Sequence, residues 1–354
     1  LHSSATARRL SPGQRPTESD PVSIFWFRRD LRLADNPALA SAAAAGPVVA
    51  VFISDNRLRR PSGAARLSFL SRSLRELSAA TGGALHHRSG DPKSVLEELA
   101  AEVGATSVYA TDDHGPYGRS RDTDVGEGLA EAGIQTHYID SNYAVAPGSV
   151  RTKTGGSYKV FTPFYRSWTA HGWAADGSTP DVEWLSGSRT EPLPLDGCAA
   201  ILPAAGEQAA AERLEQFLAG PVHDYAEQRD VPGADGTSRL SPYLKWGTLH
   251  PRQILSRLGD GVGEEVFRTE LAWREFYADV LHQRPESARQ AFVAKMSGME
   301  VDSGPSAEAR FAAWTAGQTG FPIVDAGMRQ LQSQGWMHNR VRMITASFLV
   351  KDLH

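Results

Sequence analysis

The chain is poor in cysteine, and this scarcity excludes several classes of protein. Cys198 is the one cysteine among 354 residues. A single thiol rules out a disulfide framework and any cysteine-rich zinc or iron–sulfur site. Such usage is typical of a reducing compartment, so we expect the protein to be cytoplasmic.

Signals for membranes and for export are also missing from the sequence. There is no run of apolar residues of about eighteen or more, so the sequence predicts no transmembrane helix and no membrane partner. The first residues contain Arg8, Arg9 and Arg15 but no apolar core, which excludes a secretory signal. We expect residues 1–21 to be a disordered leader.

Positive charge is not in excess in either half of the chain. The 37 Lys and Arg residues are balanced by 41 Asp and Glu, which excludes a whole-domain electrostatic footprint for nucleic acid. Residues 326–351 are a local exception, because they contain no acid and four cations, Arg329, Arg340, Arg342 and Lys351. Such a run forms either a solvated face or a phosphate-binding surface, and the sequence leaves both open.

The first half of the sequence alternates short apolar runs with helical patterns. The apolar runs are bounded by Gly, Pro, Asn or Asp and predict strands at 22–27, 48–54, 84–88, 107–111 and 134–140. Helix starts are predicted at Asn36 and Asp91, each followed by proline, and helices at 66–80, 93–103 and 119–132. Residues 22–150 are therefore predicted to form an α/β domain with a Rossmann-like, doubly wound parallel sheet.

The second half has a different organisation. Residues 151–206 are rich in Gly, Pro, Ser and Thr, and we interpret them as an interdomain linker that wraps over the surface without forming a core. From residue 207 onward, helical periodicity predicts helices at 209–218, 251–258, 264–283, 306–316, 323–334 and 338–350. Residues 207–354 are thus predicted to be an all-α domain.

Glycine-rich loops that bind nucleotide phosphates are absent. The first βα turn, residues 25–33, reads FWFRRDLRL, and no GxxxxGK[ST] segment occurs in the chain. Ordinary nicotinamide-binding and P-loop proteins are therefore excluded. Residues 237–241 offer another kind of phosphate site, because three hydroxyls and an arginine precede Pro242. The alternative is a well-capped helix start without a ligand.

One predicted helix carries a carboxylate among aromatic side chains. Glu270, Trp273 and Tyr277 share a face, and a carboxylate there is costly unless it is paired or functional. A structural salt bridge to Arg274 is one interpretation. The other is a pocket in which Trp273 stacks on a base and Glu270 forms a charged hydrogen bond to it.

A second helix face is unusual in the same way. Trp336, Asn339, Arg340 and Met343 are spaced i, i+3, i+4 and i+7, where an apolar core stripe would be expected. Trp, Asn and Arg together can stack on bases and hold phosphates. Two such faces in one domain favour a nucleotide or nucleic-acid site.

Six long segments carry a family resemblance. They are FWFRRDLRLADNPAL at 25–39, GGSYKVFTPFYRSW at 155–168, TSRLSPY within 225–243, ELAWREFY at 270–277, GFPIVDAGMRQL at 320–331 and GWMHNRVRMITASFLVKDL at 335–353. In order and spacing they resemble the DNA photolyase/cryptochrome family, most closely its class I cyclobutane pyrimidine dimer photolyases. The resemblance implies an α/β antenna domain followed by an all-α FAD-binding domain, which is incomplete at residue 354.

The resemblance implies roles for the matching residues. Positions that match the family's FAD contacts are Tyr225, Thr237, Ser238, Arg239, Leu240, Ser241, Phe267, Glu270, Arg274, Trp336, Asn339 and Arg342. Positions that match contacts to a flipped-out lesion are Glu270, Trp273 and Asn339, and those that match DNA phosphate contacts are Arg229 and Arg340. Met343 matches the methionine of dimer photolyases, where photolyases for the (6–4) lesion carry histidine.

The function implied is light-driven repair of DNA that contains pyrimidine dimers, with Glu270, Trp273 and Met343 as catalytic residues and reduced FAD as electron donor. The resemblance leaves three alternatives open for an antenna chromophore, a deazaflavin, a folate or none, and we expect a monomer. Two alternatives stay open at this point. One is a cryptochrome-like blue-light photoreceptor, and the other is an inactive photolyase fragment.

Overall fold

A computed structural model describes residues 21–186, 189–194 and 197–353, and the backbone of residues 8–9. Arg8–Arg9 form strand β1, which pairs in parallel with β7 (Leu185–Ser186), so these two leader residues are extended rather than disordered. The rest of the predicted leader, residues 1–7 and 10–20, lies outside the described residues.

Five parallel strands form the sheet of the first domain. They are β2 (Ser23–Phe27), β3 (Val48–Ser54), β4 (His86–Ser89), β5 (Ser107–Thr111) and β6 (Gln135–Ile139). Their spatial order is β4-β3-β2-β5-β6, and the order reverses between β2 and β5 as in doubly wound folds. The predicted sheet is confirmed, with strand ends that differ from the prediction by no more than two residues.

Helices cover both faces of this sheet. They are α1 (Pro37–Ala45), α2 (Asn56–Arg59), α3 (Ala64–Ala80), α4 (Pro92–Val103) and α5 (Pro116–Glu131). Ile24 and Trp26 of β2 pack on the side of α4 and α5, whereas Phe25 and Phe27 pack on the side of α1 and α3. Because both faces are buried at the centre of the sheet, β2 and β3 appear in the sequence as continuous apolar runs, whereas the edge strands β4 and β6 contain polar residues.

The two predicted helix caps differ in outcome. The side chain of Asn36 accepts a hydrogen bond from the amide of Leu39 at 3.1 Å, as a helix cap should. Asp91 makes no such bond at the start of α4 and instead pairs with Arg57 at 2.7 Å. An exposed arginine competes there for the capping carboxylate.

The predicted linker contains a helix that belongs to the core, so its interpretation as a surface connector is corrected. Helix α6 (Phe161–His171) buries Phe164 and Trp168 completely in the helical core. The indole nitrogen of Trp168 donates to Glu275 at 2.6 Å, and Glu275 also accepts from the amide of Ala144. Aromatic residues spaced i, i+3 and i+7 were the available signal for this helix.

The second half of the described chain is helical, as predicted. Its helices are α7 (Glu207–Leu218), α8 (Tyr225–Gln228), α9 (Ser241–Trp246), α10 (Pro251–Leu255), α11 (Val262–Gln283), α12 (Pro305–Ala316), α13 (Pro322–Gln334) and α14 (Asn339–Lys351). Two 3₁₀ turns, Pro285–Ala288 and Ala294–Gly298, follow α11. Within the described ranges, no helix combines the length and the apolar character needed to cross a bilayer.

Buried polar contacts hold the two domains together. Arg252 of α10 pairs with Asp35 at 3.1 Å and with Asp140 at 2.6 Å, both in loops of the α/β domain. Arg32 donates to the carbonyl of Gly247 at 3.1 Å. The carboxylate of Glu207 accepts hydrogen bonds from the amides of residues 33 and 34. These contacts fix the helical domain against the carboxyl end of β2.

Candidate functional site

A cavity of about 900 Å³ lies between the start of α3 and the helical domain. Residues around the start of α9 and from the end of α13 to the first turn of α14 line it, among them four of the predicted FAD contacts, Arg239, Ser241, Trp336 and Arg342. This volume lies at the upper end of the range that is typical of cofactor sites. The structure therefore brings two separate sequence motifs together around one concave site.

Arg239 has an unusual backbone conformation in the cavity wall. Its φ of 52° lies in the left-handed region, which is costly for a residue other than glycine. Its guanidinium lies 4.6 Å from the centre of the Trp336 ring and 2.9 Å from a carboxylate oxygen of Asp235. Strained residues that are held by several contacts concentrate at functional sites, so this geometry supports a binding role.

Other predicted FAD contacts lie behind the cavity wall. Tyr225 and Phe267 are buried and pack edge-to-face with ring centres 5.2 Å apart. Leu240 is also buried, while the carbonyls of Thr237 and Ser238 accept hydrogen bonds from Arg213. In the part of the chain that the structure describes, these five residues do not line the cavity. They support its wall.

Glu270 and Trp273 lie on one face of α11, both partly buried. Glu270 pairs with Arg229, which follows α8, at 2.7 Å. The predicted alternative of a salt bridge to Arg274 is therefore wrong. Arg274 instead lies over the ring of Tyr143 at 4.5 Å and donates to the carbonyls of residues 142 and 244.

Four charges of alternating sign form a surface network beside this face. Arg229 contacts Glu270 and, at 3.8 Å, Asp230, and Asp230 in turn is hydrogen-bonded by Arg340. That hydrogen bond lowers the pKa of Asp230. Desolvation and the nearby Glu270 raise the pKa of Tyr225 to about 12. Both cations that were predicted to hold DNA phosphates are thus paired with acids in this structure.

The cationic run 326–351 does not form one surface. Arg329 pairs with Asp325 at 3.8 Å, Arg340 is bound to Asp230, and Arg342 lines the cavity. Asn339 begins α14 and is exposed, and Met343 is 57% exposed, with its sulfur 3.8 Å from a nitrogen of Arg340. Arg329, Arg340 and Arg342 therefore contact different parts of the protein.

Sequence reasoning missed a cationic group where the sheet meets the cavity. Arg29 follows β2 and lies 3.7 Å from Asp113, and Lys245 of α9 lines the cavity. Desolvation, followed by the nearby Arg29 and Arg66, lowers the pKa of Lys245 to about 8. One guanidinium nitrogen of Arg274 is buried without a hydrogen-bond partner among the described residues. The available signal was the pair of arginines where a glycine-rich loop would otherwise lie.

Comparisons with known proteins agree with this architecture. Two family models match, one described as DNA photolyase over residues 23–182 and one described as FAD binding domain of DNA photolyase over residues 267–354. The deoxyribodipyrimidine photo-lyase of Streptomyces griseus is 36% identical in an alignment that covers 94% of this chain and 75% of the relative. This chain belongs to the DNA photolyase family.

The chain is similar to solved structures of a photolyase and of a cryptochrome. A class III photolyase from Agrobacterium tumefaciens superposes with a TM-score of 0.85 at 35% identity, covering 97% of this chain and 75% of that one. A cryptochrome from Synechocystis gives a TM-score of 0.85 at 25% identity, covering 95% of this chain and 76% of that one. The predicted family, fold class and FAD-binding domain are confirmed.

The cavity has the chemistry that FAD requires. Arg239 and Arg342 supply guanidinium groups for a pyrophosphate, Ser241 supplies a hydroxyl, and Trp336 supplies an aromatic surface. The observed volume and this mixture of aromatic and cationic groups both fit a flavin dinucleotide.

Proposed function

We propose that this photolyase repairs cyclobutane pyrimidine dimers in DNA with light. The observation that carries the proposal is the face of α11, where Glu270 and Trp273 lie one turn apart beside Arg229. Reduced FAD, when bound, would supply the light-driven electron that opens the cyclobutane ring. The protein supplies the binding, the orientation and the electrostatics.

Residues of the cavity wall hold the cofactor in this proposal. Arg239 and Arg342 bind the pyrophosphate, and the hydroxyl of Ser241 donates to it. Trp336, which Arg239 holds by its cation–π contact, separates the cofactor from the lesion. Tyr225 and Phe267 keep this wall rigid through their buried ring contact.

Residues of the α11 face bind the lesion. A dimer leaves the duplex at low cost because its base pairing is already damaged. Trp273 stacks on the flipped dimer, and Glu270 forms a hydrogen bond to its polar edge. The ion pair with Arg229 holds the carboxylate of Glu270 in place for this hydrogen bond. Asn339 and Met343 lie on the lesion side of α14, and Arg229 and Arg340 contact the DNA phosphates.

We also infer that FAD binds with an anionic group near the cationic group of Arg29, Lys245 and Arg274, because Lys245 lines the same cavity. Its affinity should fall as the pH rises through about 8, because Lys245 then loses its charge. Lys245→Met should weaken binding and remove this pH dependence, whereas Lys153→Met, at an exposed position, should change neither. Fluorescence titration with FAD measures both effects.

A cryptochrome-like photoreceptor is the second candidate, favoured by the likeness to the Synechocystis structure. The two functions differ in what happens to a dimer after illumination. We expect the FAD-loaded protein to remove a single thymine dimer from a duplex under blue light, but not in the dark, and to leave a (6–4) lesion intact. A flavin-loaded protein that leaves both lesions intact under light would favour the photoreceptor.

A further inference from the structure

One face of Trp273 is covered by Phe161, the first residue of α6. The two rings are parallel within 7°, and their centres are 3.6 Å apart, which is van der Waals contact. Phe276 approaches the indole of Trp273 from the side, at 5.8 Å and 77°. The ring of Tyr277 lies 5.6 Å from the indole at an angle of 26°, so Trp273 is packed on Phe161 at one face and flanked by Phe276 and Tyr277, although it is only partly buried.

Helix α6 holds Phe161 in place through three further contacts with α11. The hydroxyl of Tyr165 donates to Glu265 at 2.5 Å, and Trp168 donates to Glu275 at 2.6 Å. Phe164 packs against Phe276 with ring centres 5.2 Å apart. Because these anchors lie along most of α6, its first residue cannot leave Trp273 without disturbing the core.

We propose that Phe161 is a positioning residue for lesion recognition. It fixes the plane of the Trp273 ring and closes one face, so that a flipped dimer stacks only on the remaining face. A ring that is already fixed loses less freedom when it binds, which strengthens lesion binding without any new contact. The inference rests on the proposed function, because it assumes that Trp273 stacks on the dimer.

This role separates lesion binding from general DNA binding. Phe161 carries no charge, and the cations proposed to contact phosphates, Arg229 and Arg340, belong to the network around Asp230. Loss of the Phe161 ring should therefore reduce affinity for damaged DNA and leave affinity for undamaged DNA unchanged. A purely structural role would reduce both affinities together with the melting temperature.

The test compares dissociation constants for one duplex with and without a single thymine dimer. The variants are Phe161→Leu, which removes the ring but keeps apolar volume, and Phe161→Tyr, which keeps the ring. Phe52→Leu is the matched control, because Phe52 is a buried ring of β3 in the α/β domain, where it packs on His87. Melting temperature and flavin content are measured for every variant, and Phe161→Leu is also combined with Trp273→Ala.

We expect Phe161→Leu to reduce the damaged-to-undamaged affinity ratio by roughly twofold to tenfold, which is the range for one aromatic pair. Phe161→Tyr should keep the ratio, and Phe52→Leu should lower the melting temperature while keeping the ratio. In the Trp273→Ala background, Phe161→Leu should have no further effect on the ratio.

Three results would overturn the inference. They are an unchanged ratio in Phe161→Leu, an equal loss in the Trp273→Ala background, and tighter lesion binding by Phe161→Leu, which would mean that Phe161 competes with the dimer. Failure of the proposed function gives a different pattern. In that case Trp273→Ala alone leaves the ratio unchanged, whatever Phe161→Leu does.

Discussion

The unusual position of Arg340 could be predicted from the sequence, whereas its partner could not. It was singled out as a cation on an unexpected helix face, and the structure shows it bound to Asp230, more than a hundred positions earlier. The same holds for Glu270, whose observed partner Arg229 follows another helix, whereas helix spacing had suggested Arg274. Chemically unusual residues can be predicted from local periodicity, but partners from distant segments cannot.

Substitutions of Asp230 and of Arg340 should change DNA affinity in opposite directions. We expect Arg340→Ala to weaken binding to damaged and undamaged DNA alike, and Asp230→Asn to strengthen both, because phosphate contacts carry no lesion information. Arg340→Ala should also flatten the salt dependence of log K by about one unit. Titrations at several salt concentrations measure these effects.

Asp302→Asn is the control for this comparison, because Asp302 also pairs with an arginine, Arg310, and lies outside the network around Asp230. It should leave DNA affinity unchanged. A loss in Arg340→Ala that is confined to damaged DNA would place Arg340 at the lesion instead of at a phosphate.

At the scale of elements, α6 is the main feature that the sequence prediction missed. Its surroundings are rich in Gly, Pro and Ser, and this composition obscured the aromatic spacing of Phe161, Phe164 and Trp168. Long helices such as α11 and α13 were predicted within two residues, because their periodic pattern continues over several turns. The short helices α8 and α9 span too few residues for such a pattern.

Glu275 connects α6 to α11 and to the segment after β6. It is almost fully buried and accepts hydrogen bonds from Trp168 and from the amides of Ala144 and Val145. We expect Glu275→Gln to reduce the free energy of unfolding by about 1–3 kcal/mol, because its amide group would face backbone donors. Urea denaturation measures this change.

The exposed Glu286 provides a matched control for Glu275. Glu286→Gln removes the same charge from a 3₁₀ turn where the residue is solvent-exposed, so its effect on unfolding should be close to zero. Equal stability of the two variants would show that Glu275 does not hold α6 to its neighbours.

At the scale of the whole molecule, the parallel sheet of the first half and the helices of the second half could be predicted, but the contact between them could not. Both faces of the sheet are buried at its centre, which gives β2 and β3 their continuous apolar pattern. The interdomain contact depends on Arg252, Asp35 and Asp140, which are ordinary charged residues in the sequence. The contact among these three residues arises only from tertiary packing.

Arg252 should therefore contribute strongly to the stability of the contact between the two domains. Arg252→Met leaves two carboxylates without their cation, and we expect a loss of about 3–5 kcal/mol in the free energy of unfolding. Arg257→Met removes a surface pair with Glu215 and should cost no more than about 1 kcal/mol. Urea denaturation gives both values, and similar costs for the two variants would contradict the buried role of Arg252.

The quantum yield of dimer repair by Glu270→Gln tests the central claim most directly. The substitution keeps the shape of Glu270 but removes its charge, and Glu227→Gln at an exposed position of α8 is the control. We expect the repair yield per absorbed photon to fall more than the affinity for the dimer, with normal flavin content, because the contact of Glu270 acts mainly after the dimer has gained an electron. An unchanged yield with normal flavin content would contradict the proposed role of the α11 face in repair.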